Sequence, residues 1–130
     1  MLMKYKSAYQ KIAMGLLSFF PEHRDLERLL VTMKEYITES NRQLFLWKEQ
    51  EGFIGLIGVR IGENQIQVTH ICVNPSHRNQ GLGKRIVRAL QEHYSKVPLT
   101  GDEATSEFLS RCDLHIDEKG KDSRPNLAVL

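Results

Sequence analysis

The sequence predicts an α/β chain built on a mixed sheet, with elements in the order β-α-α-β-β-β-α-β-α. Two observations predict it. Apolar residues recur at helical spacing before residue 38 and switch to an extended period over residues 43–73, and a glycine-containing turn then leads into a basic amphipathic helix.

A short strand opens the chain at about Leu2 to Tyr5. From Ser7 to Phe20 the residues Ala8, Ile12, Leu16, Phe19 and Phe20 keep a helical period that Pro21 stops, which predicts the first helix. The second is expected from about Glu22 to Thr38, with Leu26, Leu29, Leu30, Met33 and Ile37 on its buried face. Three extended runs follow, QLFLWK, FIGLIGVRI and QIQVTHICV, separated by short polar segments containing Gly52 and Gly62 that suit antiparallel hairpins. GKRIVRALQEHYSKV returns to the helical period with Ile86, Val87, Leu90 and Tyr94 inward, VPLT reads as a short strand, and EATSEFLSRC as a last helix. Residues 1–112 are therefore expected to form one domain. Residues 113–130 are mostly polar, with a brief strand conceivable at LHI, and are expected to be partly disordered.

Composition narrows the function. The chain has 130 residues, enough for one core, with 41% hydrophobic and 26% charged residues, values of a globular domain. A formal net charge of +2 argues against nucleic acid and against an anionic membrane as partner, so any basic site is local. The segment MLMKYKSAYQK has no apolar run behind its charges and FIGLIGV is far too short to span a bilayer, so a soluble cytoplasmic protein is expected. Cys72 and Cys112 lie in no metal-ligand spacing, and His23, His70, His77, His93 and His115 are scattered along the chain, so no metal is expected.

The informative stretch is HICVNPSHRNQGLGKRIVRAL. A strand, a turn with Gly81 and Gly83, and a helix start together make an anion site, because the first amides of a helix have no intrahelical partner and carry the positive end of its dipole. Glycine lets a phosphate approach the backbone, and Arg78, Lys84 and Arg85 add positive charge suited to a pyrophosphate. Neither the Walker loop nor the dinucleotide-binding turn fits, since Lys84 is followed by Arg85 and no third glycine follows Gly83.

ICVNPSHRNQGLGKRIV resembles motif A of the GNAT (Gcn5-related) N-acetyltransferases, in which a strand ending in Val-x-Pro is followed by [Q/R]-x-x-G-x-[G/A] and a helix. The element order is similar to that fold as well, with its C-terminal strand pair short or missing. The segments KIAMGLLSFFP, RQLFLWKE and VNPSHR also resemble the RibT group of acetyltransferase-like proteins, encoded with riboflavin-synthesis genes. The resemblance implies acetyl-CoA or coenzyme A as cosubstrate, an amine acceptor, no metal and, as often among GNAT proteins, a homodimer. It implies a pantetheine arm pairing with the backbone of Ile71, Cys72 and Val73, the Val73 amide polarising the thioester carbonyl, and a pyrophosphate on Arg78, Asn79, Gln80, Gly81, Leu82, Gly83 and Lys84. The acceptor site would draw on Phe19, Phe20, Pro21, Glu22 and His23, with Trp47 either lining it or packed in the core.

The catalytic residue is not assigned by the sequence. GNAT enzymes commonly place a carboxylate on the fourth strand and a tyrosine on the last helix, whereas this chain has Gln67 and Thr69 in that strand and Leu109 where the tyrosine would stand. His70 is the one titratable candidate inside the strand, and its ordinary pKa suits a base. Strand alternation puts it opposite Thr69 and Ile71, which favours a histidine satisfied by a helix on the sheet. Two functions follow: an acetyl-CoA-dependent N-acetyltransferase, or a coenzyme A-binding module with little or no activity that serves as sensor or partner.

Overall fold

The computed structural model describes residues 1–50, 52–77 and 80–112. Among these residues five strands form one sheet in sequence order: β1 (Leu2–Lys4), β2 (Arg42–Glu49), β3 (Gly52–Ile61), β4 (Ile66–Val73) and β5 (Leu99–Gly101). The first four are antiparallel neighbours and β5 joins β4 in parallel. The helices are α1 (Gln10–Leu17), α2 (Leu26–Thr38), α3 (Leu82–His93) and α4 (Ser106–Ser110), so the observed order is the one expected. Among the described residues no helix is long and apolar enough to cross a membrane.

Both faces of the sheet are covered, which is why β2 and β3 read as nearly continuous apolar runs. Leu44, Leu46 and Leu56 pack with Ala13, Leu16, Leu17, Leu29, Met33 and Tyr36 of α1 and α2. Phe45, Trp47, Ile57, Val59 and Val68 pack on the other face with Ile86, Val87 and Leu90 of α3 and Leu109 of α4. Trp47 is therefore a core residue. Its indole N–H donates to Glu49 at 2.8 Å, and Arg85 lies over its ring while approaching Glu49 at 3.7 Å.

Several helical expectations are corrected. The first helix begins as a 3₁₀ turn at Ser7–Tyr9 and ends at Leu17, leaving Ile12 and Phe19 exposed. A second 3₁₀ turn, Pro21–His23, precedes α2, which starts behind Asp25, whose carboxylate accepts the Glu27 amide at 3.0 Å. Its buried face is Leu29, Met33 and Tyr36, whereas Leu26, Leu30 and Ile37 face solvent. The last strand begins two residues later than expected and the last helix is shorter. The expected tail and its LHI strand lie outside the described residues.

Two irregularities shape the sheet. The β3–β4 register steps from Gly58↔His70 to Val59↔Val68, so Thr69 has no partner of its own and forms a bulge. β5 pairs with Ile66, Gln67 and Val68, so among the described residues no strand continues on that side along the far half of β4.

Candidate active site

The half of β4 beyond β5 borders a cavity of about 670 Å³. Ile71, Cys72 and Val73 form one wall, the start of α3 another through Gly81, Leu82, Gly83 and Lys84, and Phe19, Phe20, Pro21, His77 and Phe108 complete it. Seven of the ten residues expected to bind coenzyme thus share one cavity. Gln80 is exposed and does not line it, while Arg78 and Asn79 lie outside the described residues. The Asn74 amide donates to Ile54 of β3 at 2.8 Å, and alternation along the strand therefore turns the Val73 amide away from β3.

The two glycines of the turn have different reasons. Gly81 sits in the left-handed region at φ 73° as the N-cap of α3, with open space where a Cβ would be. At Gly83 a Cβ would lie 2.8 Å from the Phe108 ring, so this glycine makes room for α4 rather than for a ligand. Arg85, expected at the phosphate rim, is instead turned to Glu49 and Trp47 and does not line the cavity.

A second, wider cavity of about 1150 Å³ lies next to the first. Glu22 and His23 continue its wall from Pro21, and Gln67, Thr69 and His70 continue it from Ile71. The carboxylates Asp25, Glu27, Asp102 and Glu103 and the guanidinium groups of Arg28, Arg42 and Arg60 rim it.

His70 stands where the two spaces meet. The bulge at Thr69 overturns the expected alternation: Thr69 and His70 both reach the α2 side, where the Tyr36 hydroxyl lies 2.5 Å from Thr69 Oγ1 and 2.6 Å from His70 Nδ1. The expectation of a histidine satisfied by a helix holds. Burial, then the nearby His23 and Arg42, pushes the His70 imidazole down to about 4, and burial pushes the Tyr36 hydroxyl up to about 12. Both groups are accordingly neutral near pH 7. His70 Nε2 faces Glu22 at 3.9 Å, and the ring of Phe20 packs edge-on against it with centroids 5.1 Å apart.

Residues 8–105 match the acetyltransferase (GNAT) domain family. The chain belongs to the GNAT acetyltransferase family. A relative from Bacillus methanolicus, named an uncharacterized N-acetyltransferase in the lysA 3' region, is 53% identical over 115 residues, 88% of this chain and 96% of the relative. Among solved structures, AAC(6')-Iy in complex with the bisubstrate analogue CoA-S-monomethyl-acetylneamine superposes with a TM-score of 0.67 at 18% identity, covering 85% of this chain and 84% of that one. A transcriptional regulator from Bacillus halodurans C-125 gives 0.62 at 14% identity over 94% and 97% of the two chains. At such identities these structures share the GNAT fold.

Within this GNAT domain the structure adds residues that spacing alone did not bring forward. Tyr36 comes from α2, and a Cβ at Gly58 of β3 would fall on its hydroxyl, so Gly58 is the gap that lets Tyr36 reach β4. Thr105 is buried and donates through Oγ1 to the Val68 carbonyl at 2.6 Å, tying the entry of α4 to β4 where β5 stops. The Asp102 carboxylate accepts the Ala104 and Thr105 amides at 2.9 and 3.0 Å, a local turn that leads into α4. Leu109 is buried in the core with α3, so no proton donor occupies that position of α4. Cys72 is buried with its thiol 3.2 Å from the Leu16 carbonyl, and Cys112 is buried beside the same core as Leu109.

Proposed function

We propose that this GNAT domain, residues 1–112, transfers an acetyl group from acetyl-CoA to an amine of a small molecule or protein. The observation that carries the reading is the meeting of two cavities across β4. The division falls between Ile71 and His70 on the strand and between Pro21 and Glu22 on the opposing loop. The narrower space, with a helix start at one end and β4 along one side, suits a phosphate-bearing extended cosubstrate. The wider one, rimmed by both signs of charge, suits a polar amine.

In this reading Arg78 through Lys84 hold the pyrophosphate and the backbone of Ile71, Cys72 and Val73 pairs with the pantetheine arm. Gly81 belongs to the turn because only a residue tolerant of a positive φ starts α3 there. The Val73 amide donates to the thioester oxygen, the neutral amine forms the new C–N bond as the C–S bond breaks, and the thiolate leaves. His70 is the candidate proton acceptor. Its Nε2 faces the cleft and Glu22, which favours the imidazolium formed on proton uptake. Holding donor and acceptor side by side supplies a large part of the rate.

A second reading is a coenzyme A-binding module of low activity, acting as sensor or partner. The burial of Leu109 at the α4 position and the weak basicity of a buried His70 favour it. The resemblance to the RibT group links either reading to riboflavin metabolism. Calorimetric titration with acetyl-CoA and coenzyme A, followed by acetylated-product assays on an amine panel including diaminopyrimidine flavin precursors and an aminoglycoside, tests them. Saturable binding with acceptor-dependent product establishes the transferase, binding without product establishes the module, and absence of binding overturns both.

A further inference from the structure

Spacing along the chain offers no metal motif, yet folding brings Glu22, His23 and His70 together with one ligand atom each, all within 4.8 Å of one another. The two imidazole rings lie 5.3 Å apart between centroids. His23 belongs to the 3₁₀ turn before α2, and His70 to the bulged part of β4.

Both histidines are held as metal ligands usually are, by a partner on the other ring nitrogen. His23 Nδ1 lies 3.0 Å from the Leu17 carbonyl, which only accepts, so Nδ1 carries the proton and Nε2 keeps its lone pair. That lone pair now takes the Thr32 hydroxyl at 2.9 Å, a partner that can rotate away. His70 Nδ1 is held by Tyr36 at 2.6 Å, which leaves Nε2 directed toward Glu22. Glu22 itself is largely exposed and free to close the set.

We infer that Glu22, His23 and His70 form a site for a divalent transition-metal ion of the zinc class, at the junction of the two cavities. Two imidazoles and one carboxylate are an established donor set for zinc, with the fourth position open to the wider cavity. Tetrahedral coordination places ligand atoms roughly 3.4 Å apart, so binding draws the three groups inward, chiefly through the exposed Glu22. Resting on the transferase reading, the consequence is inhibition: the ion occupies the route by which the amine approaches and takes His70 Nε2 out of proton transfer.

The test uses tag-free full-length protein stripped with a chelator, titrated with zinc chloride by calorimetry and with cobalt(II) by visible absorption. One ion per chain and tetrahedral cobalt bands are expected, with zinc affinity reduced roughly tenfold or more in Glu22→Gln, His70→Ala and, through the hydrogen bond to His70, Tyr36→Phe. Glu22→Gln lies on the surface and reads the site without risk to the fold. Absence of saturable zinc binding, or unchanged affinity in Glu22→Gln and His70→Ala, overturns the site. Turnover is followed by the mass of the acetylated product, because the released thiol itself binds zinc. A roughly tenfold loss with one equivalent of zinc is expected, and full turnover of the zinc-bound protein overturns the blocking role. Acetyl-CoA titration of the stripped protein reads the coenzyme cavity separately, so failure there sinks the transferase reading and leaves the metal site standing.

Discussion

The Tyr36 hydroxyl passes over Gly58 and ends 2.6 Å from Nδ1 of His70. This contact fixes a helix to the third and fourth strands at once, and it orients the imidazole whose other nitrogen faces the cleft. Arg42 lies over the Tyr36 ring at 4.7 Å and pairs with Glu35 at 2.9 Å, so the guanidinium that covers the tyrosine is itself held.

Gly58→Ala should destabilise the fold by about 1 to 3 kcal/mol, the usual cost of forcing a methyl into a filled space. The nearest of the offending atoms is the Tyr36 hydroxyl, with two ring carbons behind it, so Tyr36→Phe should relieve part of that cost, and the double variant should be less destabilised than the sum of the singles. Urea denaturation of the four proteins checks this, and strict additivity would show that Gly58 and Tyr36 are not in contact.

Acid should unfold the metal-free protein through His70. Its folded pKa is about 4 against an ordinary 6.5, so between these values the unfolded chain binds the proton and the folded one does not. Stability contributed by the neutral ring is complete above pH 6.5 and falls as pH drops to about 4, by roughly 3 kcal/mol in all. The charged and titratable groups around the ring are Glu22 and His23 of the 3₁₀ turn, Tyr36 of α2, Arg42 of β2 and Asp102 beyond β5. Melting in chelator across this range should show a flatter pH dependence for His70→Gln than for the wild type, and identical curves would sink the assignment.

The order of elements was legible because the hydrophobic period changes sharply at both borders of the meander and because the glycine turn marks the start of α3. The buried face of α2 was not: Leu26, Leu30 and Ile37 offer as good a stripe as Leu29, Met33 and Tyr36, and tertiary packing chose the latter. The facing of Thr69, on the same side as His70, was hidden for a different reason. One extra residue at the bulge puts Thr69 beside His70 instead of opposite it, and a period-two argument cannot see a bulge. The grouping of His23 with His70 was invisible because the two come from different elements joined only by the fold.

Thr105→Val removes the hydroxyl that ties the entry of α4 to β4 while keeping the side-chain volume. The Val68 carbonyl loses its 2.6 Å donor and the Asp102 amide its acceptor at 3.0 Å. A loss of about 1 to 3 kcal/mol is expected, the cost of buried polar groups left unpaired. Because Phe108 of α4 walls the narrower cavity, affinity for acetyl-CoA should fall as well. Unchanged stability by chemical denaturation would mean that this tie does not hold α4.

Gly81 separates backbone demand from ligand demand. Its φ of 73° costs most residues about 1 kcal/mol, whereas asparagine tolerates that region, and nothing stands within 4 Å of the place a Cβ would take. Gly81→Asn should therefore fold and retain most of its affinity for coenzyme A. Gly81→Glu fits the same space and places a carboxylate at the start of α3, where a helix welcomes negative charge but a bound pyrophosphate does not. Calorimetry should show the Glu variant losing coenzyme binding while its melting temperature stays close to that of the Asn variant. Equal affinity in the two would remove the pyrophosphate from this turn.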